Sequence, residues 1–582
     1  MNIRKLSLWS SAASLLLAAA ACSEKNMPDD PSNPISDGDH LMTFQIMNAS
    51  ESTGTRAEPE VPEGEGEFVS GTANESKIEN VILVFFGDDG KFFTAKEPDF
   101  RETTPSEGIH TQEGVLEAQV SLRTINQKKP KYVLAIINGK GLEYDTVHPG
   151  LTLGEVNLSL QKPTKDEMLK AIGKFDVALD DKGEGPAQPL MMTNSSYIKT
   201  SEGVETKIDI QEIPDDAFIS ADDPRIKYNE DGSRDLSAFP TVHIDVERVN
   251  ARVEINTEVL ESNIQDSEFK LGEDTKKVKP RILGIQIGQM PRVSYLVKSL
   301  EGCDSYDVIN WKSELYPRSY WATCPSLVAW NTQDPVTKEF LDSKGDYKYL
   351  SYNEMKGKNI LLSYPQENTT EHPVCVVVAA VLEDEDGNPI QDMIDITGTR
   401  KYFYTMDGYR AIVATELQKR GEKFTYINDK GENTVSGDWA PFIELRRTQN
   451  PDDQSFHVKP YVVPDEKKIS AQRAAQVNEI LSTFDPVLYY KDGMCYFYVE
   501  IQHDLFISNP DKTEGAAEYI RANGVVRNHA YEVILKSLKG IGSPVYDPDE
   551  EIIPNRPDEI LELQAEIHPL KWKHVKQEAD LK

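Results

Sequence analysis

Apolar stretches of strand length, many of them alternating with polar residues and most of them closed by Gly, Asn or Asp, recur from Leu41 to Val575. A period of two sends one set of side chains to a buried face and leaves the other in water, so the pattern constrains the chain to β-sheet packed on β-sheet. Ile78 to Phe86 and Lys91-Phe-Phe-Thr94 flank Gly87-Asp-Asp-Gly90, which predicts a hairpin whose turn needs positive φ. Tyr132 to Ile137 and Val374 to Leu382 are unbroken apolar runs, as expected of strands buried on both faces. Val242 to Ile255 alternates for most of its length and opens the second half of the chain, and Val487–Tyr490 with Cys495–Ile501 around Lys491-Asp-Gly493 predicts a second hairpin. Helices are few. Thr164-Lys-Asp-Glu167 is a capping box ahead of Met168, Leu169 and Ile172, and Ser470 caps an amphipathic stretch with Ala474, Val477, Ile480 and Leu481 inward. The expected fold is all-β: paired β-sandwiches with a few short helices.

The two ends carry segments that fit no sandwich of their own. Met1 to Lys5 is basic and runs into a mostly apolar stretch, Leu6 to Ala21, too short to span a membrane comfortably; this is the pattern of a secretory signal. It closes on Ala18-Ala-Ala-Ala21-Cys22, where small residues admit a signal peptidase after Ala21 and Cys22 offers a thiol for lipid attachment. Ala19 stands where a lipoprotein box prefers Leu, which keeps open cleavage after Ala21 with an unmodified cysteine. The acidic, Pro- and Ser-rich run Ser23 to His40 reads as a tether. Then Met42, Phe44 and Ile46 alternate with Thr43 and Gln45 as in a half-buried strand, and Glu51 to Glu67 reads as an exposed loop containing Arg56. A trypsin-like cut between Arg56 and Ala57 would detach that strand with its tether; the plainer reading is a linker charge. At the other end a spacer, Pro544 to Asp558, precedes a segment alternating in two registers, Leu561, Leu563, Ala565, Ile567 and then Leu570, Trp572, which predicts a strand with no sheet of its own.

Composition and motifs remove several classes of function. A formal charge of −34 disfavours nucleic acid and anionic lipid as partners. The sequence has no H-E-x-x-H, G-x-S-x-G, Walker or G-x-G-x-x-G pattern, so no cofactor, metal or catalytic residue is assigned. Asp384-Glu-Asp-Gly-Asn388 and Asn229 to Ser233 lack the spacing of a calcium loop and read as turns. Tyr489, Tyr490, Tyr496 and Tyr498 pose a choice between stacking on sugar rings and packing in the core. Cys303, Cys324, Cys375 and Cys495 fit no zinc spacing; whether they bridge, and in which pairs, stays open.

Several stretches together resemble the major subunits of short fimbriae in Bacteroidales, members of the fimbrillin superfamily that builds type V pili. They are the Cys22 box, Gly54-Thr-Arg56-Ala57, Ile82-Leu-Val-Phe-Phe-Gly-Asp-Asp-Gly90, Val246 to Val253, Arg318-Ser-Tyr-Trp-Ala322, Asn523 to Tyr531, and above all Gly540-Ile-Gly-Ser-Pro-Val-Tyr-Asp-Pro-Asp549 leading into Leu570 to Leu581. The resemblance implies a signal peptide at 1–21, a lipidated tether with a removable strand at 22–56, two transthyretin-like β-sandwich domains at 57–240 and 241–555, and a donor-strand tail at 556–582. It implies a lipid-anchored precursor at the outer membrane, cut after Arg56 by an Arg-specific protease. The tail of the next copy, through Ile567, Leu570, Trp572 and Val575, would then fill the place of Met42, Phe44 and Ile46 in an extracellular homopolymer. Accessory anchor and tip subunits, and a host or bacterial receptor, are the further partners implied. A tip or anchor subunit of the same fimbria and a glycan-binding surface lipoprotein are the alternatives.

Overall fold

The structure, a computed structural model, describes residues 39–48, 68–70, 72–97, 110–112, 115–123, 128–139, 142–145, 151–153, 162–201, 204–230, 234–300, 324–325, 347–368, 372–447, 457–503, 522–552, 554 and 563–573. These residues are mostly β, in several sheets, with few short helices.

The first half is built on one large sheet. Phe92–Lys96, Val81–Phe86, Tyr132–Ile137, Met192–Asn194, Val242–Arg248, Asp39–Asn48, Val115–Arg123 and His110–Gln112 lie side by side in that order. The expected hairpin is there: Val81–Phe86 and Phe92–Lys96 pair antiparallel, with Gly90 at φ 70° in the turn. The central strands are apolar on both faces because both are covered. Val81, Leu83 and Phe85 enter one core, while Val84 and Phe86 enter another with Met168, Ala171, Phe175 and Leu296. The short helix Lys165–Leu169 delivers Met168 to that second core, its start fixed by the predicted box: Glu167 N donates to Thr164 Oγ1 at 3.2 Å and Thr164 N to Glu167 Oε2 at 2.7 Å.

The second half is a pair of sheets facing across a common core. One holds Phe68–Ser70, Leu563–Lys573, His529–Leu538, Arg252–Asn256 and Leu362–Ser363; the other holds Tyr402–Phe403, Ser267–Leu271, Asp274–Gly288, Cys375–Glu383, Met494–Glu500 and Ser543–Pro544. Val253, Ile255, Tyr531, Val533 and Leu535 from the first meet Ile285, Val376, Val378, Ala380 and Phe497 from the second. The alternation read as continuous from Val242 to Ile255 is broken at Val249–Ala251. Val242–Arg248 belongs to the large sheet, Arg252–Asn256 to the second half, and Asn250 Nδ2 ties the crossing to the carbonyls of Phe175 and Tyr364 at 2.9 and 3.0 Å.

Two further differences have physical causes. Val487–Tyr490 and Met494–Glu500 do not form the expected hairpin; they join different sheets. Asp492 at φ 50° and Gly493 at φ 69° turn a corner there, and Val487 and Tyr489 pack in a separate core while Cys495 and Phe497 enter the sandwich. That separate core also holds a helix, Met406–Lys419, that no expectation covered. Its buried Tyr409, Val413, Ala414 and Leu417 follow helical spacing, but Asp407-Gly408 at its start reads as a turn.

Gly284 sits at a register shift in the long strand Asp274–Gly288, where a Cβ would lie 2.0 Å from the Met355 carbonyl oxygen. Gly284→Ala is expected to destabilise the second half by about 1–3 kcal/mol, as overpacking does, read as a lower urea midpoint.

Candidate functional site

The amino-terminal strand, Asp39–Asn48, is an interior member of the large sheet. It pairs antiparallel with Val115–Arg123 from Asp39 opposite Arg123 to Met47 opposite Val115, and parallel with Val242–Arg248 from Phe44 opposite Val242 to Asn48 opposite Val246. Ile219–Ser220 adds a short antiparallel contact at Leu41 and His40. The alternation legible in the sequence sets which side chains go in. Met42 and Phe44 are fully buried and Ile46 is 2% exposed, among Leu83, Phe85, Val120, Val133, Ile244 and Val246; Thr43 and Gln45 face the other way, half-buried. The Phe44 and Phe85 rings lie 5.8 Å apart in a tilted arrangement, and His40 stacks on Phe218 at 4.2 Å. Leu41 packs in a small cluster on the opposite face with Ile219, Ile226, Leu236 and Phe239.

Burying Met42, Phe44 and Ile46 contributes ~1.5–3 kcal/mol apiece. Removing the strand would leave Val115–Arg123 and Val242–Arg248 facing each other across a gap of about 9–10 Å, twice the strand spacing, with unpaired amides and carbonyls on both walls. The arrangement is a slot that takes one extended segment with large apolar residues at every second position.

The carboxy-terminal strand, Leu563–Lys573, does have a sheet of its own, contrary to expectation. It pairs antiparallel with His529–Leu538, from Leu563 opposite Leu538 to Lys571 opposite His529, with a register shift near Leu535. Leu563 is buried, and Ala565 and half-buried Ile567 pack on the sandwich core. Alternation alone cannot tell a strand that pads its own sheet from one that waits for another. Pro569 is opposite Tyr531, Leu570 opposite Ala530, and Trp572 opposite Val69 on the other side. Ala21, Cys22, Arg56, Ala57, Val575 and Cys303 lie outside the described residues.

The slot and the tail strand are joined by a junction rich in buried charge, which the sequence did not signal because single Glu, Lys and Arg residues read as exposed. Lys298 Nζ is 3.1 Å from Glu247 Oε2 with both side chains fully buried, and Arg527 Nε is 2.8 Å from Glu367 Oε2 with both 1% exposed. Burial raises the Glu247 carboxyl above its usual range, and the Lys298 and Arg527 charges offset only part of that rise. Burial, and then the adjoining Glu75 carboxylate, raises the Tyr364 hydroxyl, which donates to Glu75 Oε1.

Other candidates resolve into packing. Tyr489, Tyr490 and Tyr496 are buried, and Asp384 caps a turn by accepting from Asp386 N and Asn388 N at 3.0 and 2.8 Å. Cys324, Cys375 and Cys495 are buried thiols. Among the described residues no cluster of His, Cys, Asp and Glu could hold a metal, and no helix is long and apolar enough to cross a membrane.

Residues 488–578 match the family described as major fimbrial subunit protein type IV, fimbrillin, C-terminal. No curated protein matches the chain. Among solved structures, it is similar to a fimbrilin from Porphyromonas gingivalis W83, with 13% identity, 92% of this chain and 98% of that chain covered, and a TM-score of 0.33. It is also similar to a C-terminally truncated tip fimbrial protein from Porphyromonas gingivalis (10% identity, 92% and 100% covered, TM-score 0.27) and to a fimbrial assembly protein from Parabacteroides distasonis (12%, 59% and 81%, 0.24). Residues 488–578 are thus similar to the carboxy-terminal region of fimbrillin-type fimbrial subunits, the family that the sequence resembles.

Proposed function

We infer that this protein is a stalk subunit of a cell-surface fimbria that polymerises by donor-strand exchange and so takes part in adhesion. In this reading two transthyretin-like sandwich units, expected at 57–240 and 241–555, adjoin where the chain crosses between sheets at residues 249–251. Export removes residues 1–21, Cys22 is acylated, and an Arg-specific protease cuts between Arg56 and Ala57. The strand bearing Met42, Phe44 and Ile46 then leaves, and the tail of the next copy enters through Ile567, Leu570, Trp572 and Val575. The observation that supports this most is the interior place of Asp39–Asn48: its sequence continues directly into the Arg56 loop, yet it is paired on both sides. Among the described residues, the tail strand is paired along its length in its own sheet with His529–Leu538 alone. The slot offers two such neighbours, so exchange replaces one full-length ladder by two. The contact is head-to-tail and leaves a slot at one end and a tail at the other, which gives an open filament. Anchor and tip subunits would close the two ends. The buried tyrosines do not favour the glycan-binding alternative.

Low-dose trypsin on the purified precursor should yield a ladder of multimers on an unboiled denaturing gel, and Arg56→Ala should abolish it. A ladder from Arg56→Ala, or none from the cut wild type, contradicts the proposal.

A further inference from the structure

The first described strand after Arg56 does not join the sheet that holds the amino-terminal strand. Phe68–Ser70 runs parallel to the tail strand, with Phe68 opposite Lys571, Val69 opposite Trp572 and Ser70 opposite Lys573. Among the described residues it is the last strand of that sheet and is paired only with the end of its neighbour. What comes next in the chain is firmly anchored. Thr72 caps the one-turn helix Ala73–Ser76, its N–H donating to Glu75 Oε2 at 2.5 Å. Glu75 is fully buried: Arg252 Nε is 3.2 Å from its Oε1, the Tyr364 hydroxyl donates to the same oxygen, and Arg248 Nε donates to its carbonyl at 3.1 Å. Asn74 Nδ2 donates to the Pro186 carbonyl at 2.9 Å. Downstream, then, Phe68–Ser70 is pinned to the junction by a buried carboxylate. Upstream, the chain connects it through residues 49–67, which include Arg56, to Asn48, the end of the strand locked in the large sheet.

We propose that Phe68–Ser70 is a clasp that keeps the tail strand on its own subunit, and that cutting at Arg56 loosens it. The inference rests on the donor-strand reading. A pairing of three residues supplies only a few ladder hydrogen bonds, each worth about 0.5–1.5 kcal/mol net. Such a short strand holds while the chain constrains it at both ends, and frays once one end becomes a terminus. In the precursor both ends are constrained; after the cut the upstream end is a terminus and only the downstream anchor at Asn74 and Glu75 remains. One proteolytic event thus acts on both partners of the exchange, vacating the slot and unlatching the tail, so that an uncut subunit neither accepts nor donates.

Ser70→Cys with Lys573→Cys tests this, because facing residues on adjacent strands, about 4.7–4.9 Å apart, fall within disulfide reach. Trypsin-cut wild type and each single variant should form ladders. The oxidised double variant should form none, and reductant should restore them. Ladders from the oxidised double variant equal to those of the singles would overturn the clasp. If the cut wild type forms no ladder, the donor-strand reading fails, and hydrogen exchange in the monomer decides the clasp separately: faster exchange at residues 571–573 after the cut supports it, and an unchanged rate overturns it.

Discussion

Phe44→Ala is expected to lower the stability of the uncut protein by about 3–5 kcal/mol, the cost of deleting a buried aromatic ring from a packed core. Phe44 is fully buried, its ring stands against Phe85, and its strand is hydrogen-bonded on both sides, so the site has little room to collapse. The proposed function adds a condition that a purely structural role lacks. Once the protein has been cut at Arg56 and has polymerised, residue 44 is no longer part of it, and variant and wild type should unfold at the same urea concentration. The variant should also form ladders sooner after the cut, because the departing strand is held less tightly. An equal loss of stability before and after maturation would mean that the strand never leaves.

Arg527→Ala is the second large effect. Its guanidinium meets Glu367 at 2.8 Å and donates to the carbonyls of Leu296 and Tyr295 at 3.3 and 2.9 Å and to Ser294 Oγ at 3.2 Å. Ser294–Tyr295 pairs with Ile172–Gly173, so Arg527, just ahead of His529–Leu538, fastens the second half of the chain to the first. Removing one partner of a buried ion pair leaves the other charged and unpaired, and costs about 3–5 kcal/mol. Arg527→Met combined with Glu367→Met should lose clearly less than the sum of the two single changes, since no buried charge is then stranded. Chemical denaturation of the four proteins gives the coupling directly; additive losses would show that the two side chains do not depend on each other.

What could be read from the sequence was what depends on local period and local chemistry. Met42, Phe44 and Ile46 point inward because a strand alternates, and Thr164 with Glu167 caps a helix because the two lie three residues apart. What could not be read was the choice among partners for a given strand. The same alternation that marks Leu563, Ala565 and Ile567 as a strand is compatible with an unpaired tail, yet His529–Leu538 pairs with it. Val242 to Ile255 gives no local sign that Asn250 must cross from one sheet to another. Asp492 and Gly493 are good hairpin residues and equally good corner residues, and only the two cores on either side decide between these. The buried pairs Glu247–Lys298 and Glu367–Arg527 are the extreme case, since each partner is far from the other in the chain and polar on its own.

Exchange of the backbone amides of Val115–Arg123 and Val242–Arg248, followed from precursor through cut monomer to polymer, bears most directly on whether the fold is completed by another copy. Protection should be high in the precursor, fall when the cut strand departs, and return in the polymer. Protection that persists throughout, or that never returns in assembled material, would contradict the account.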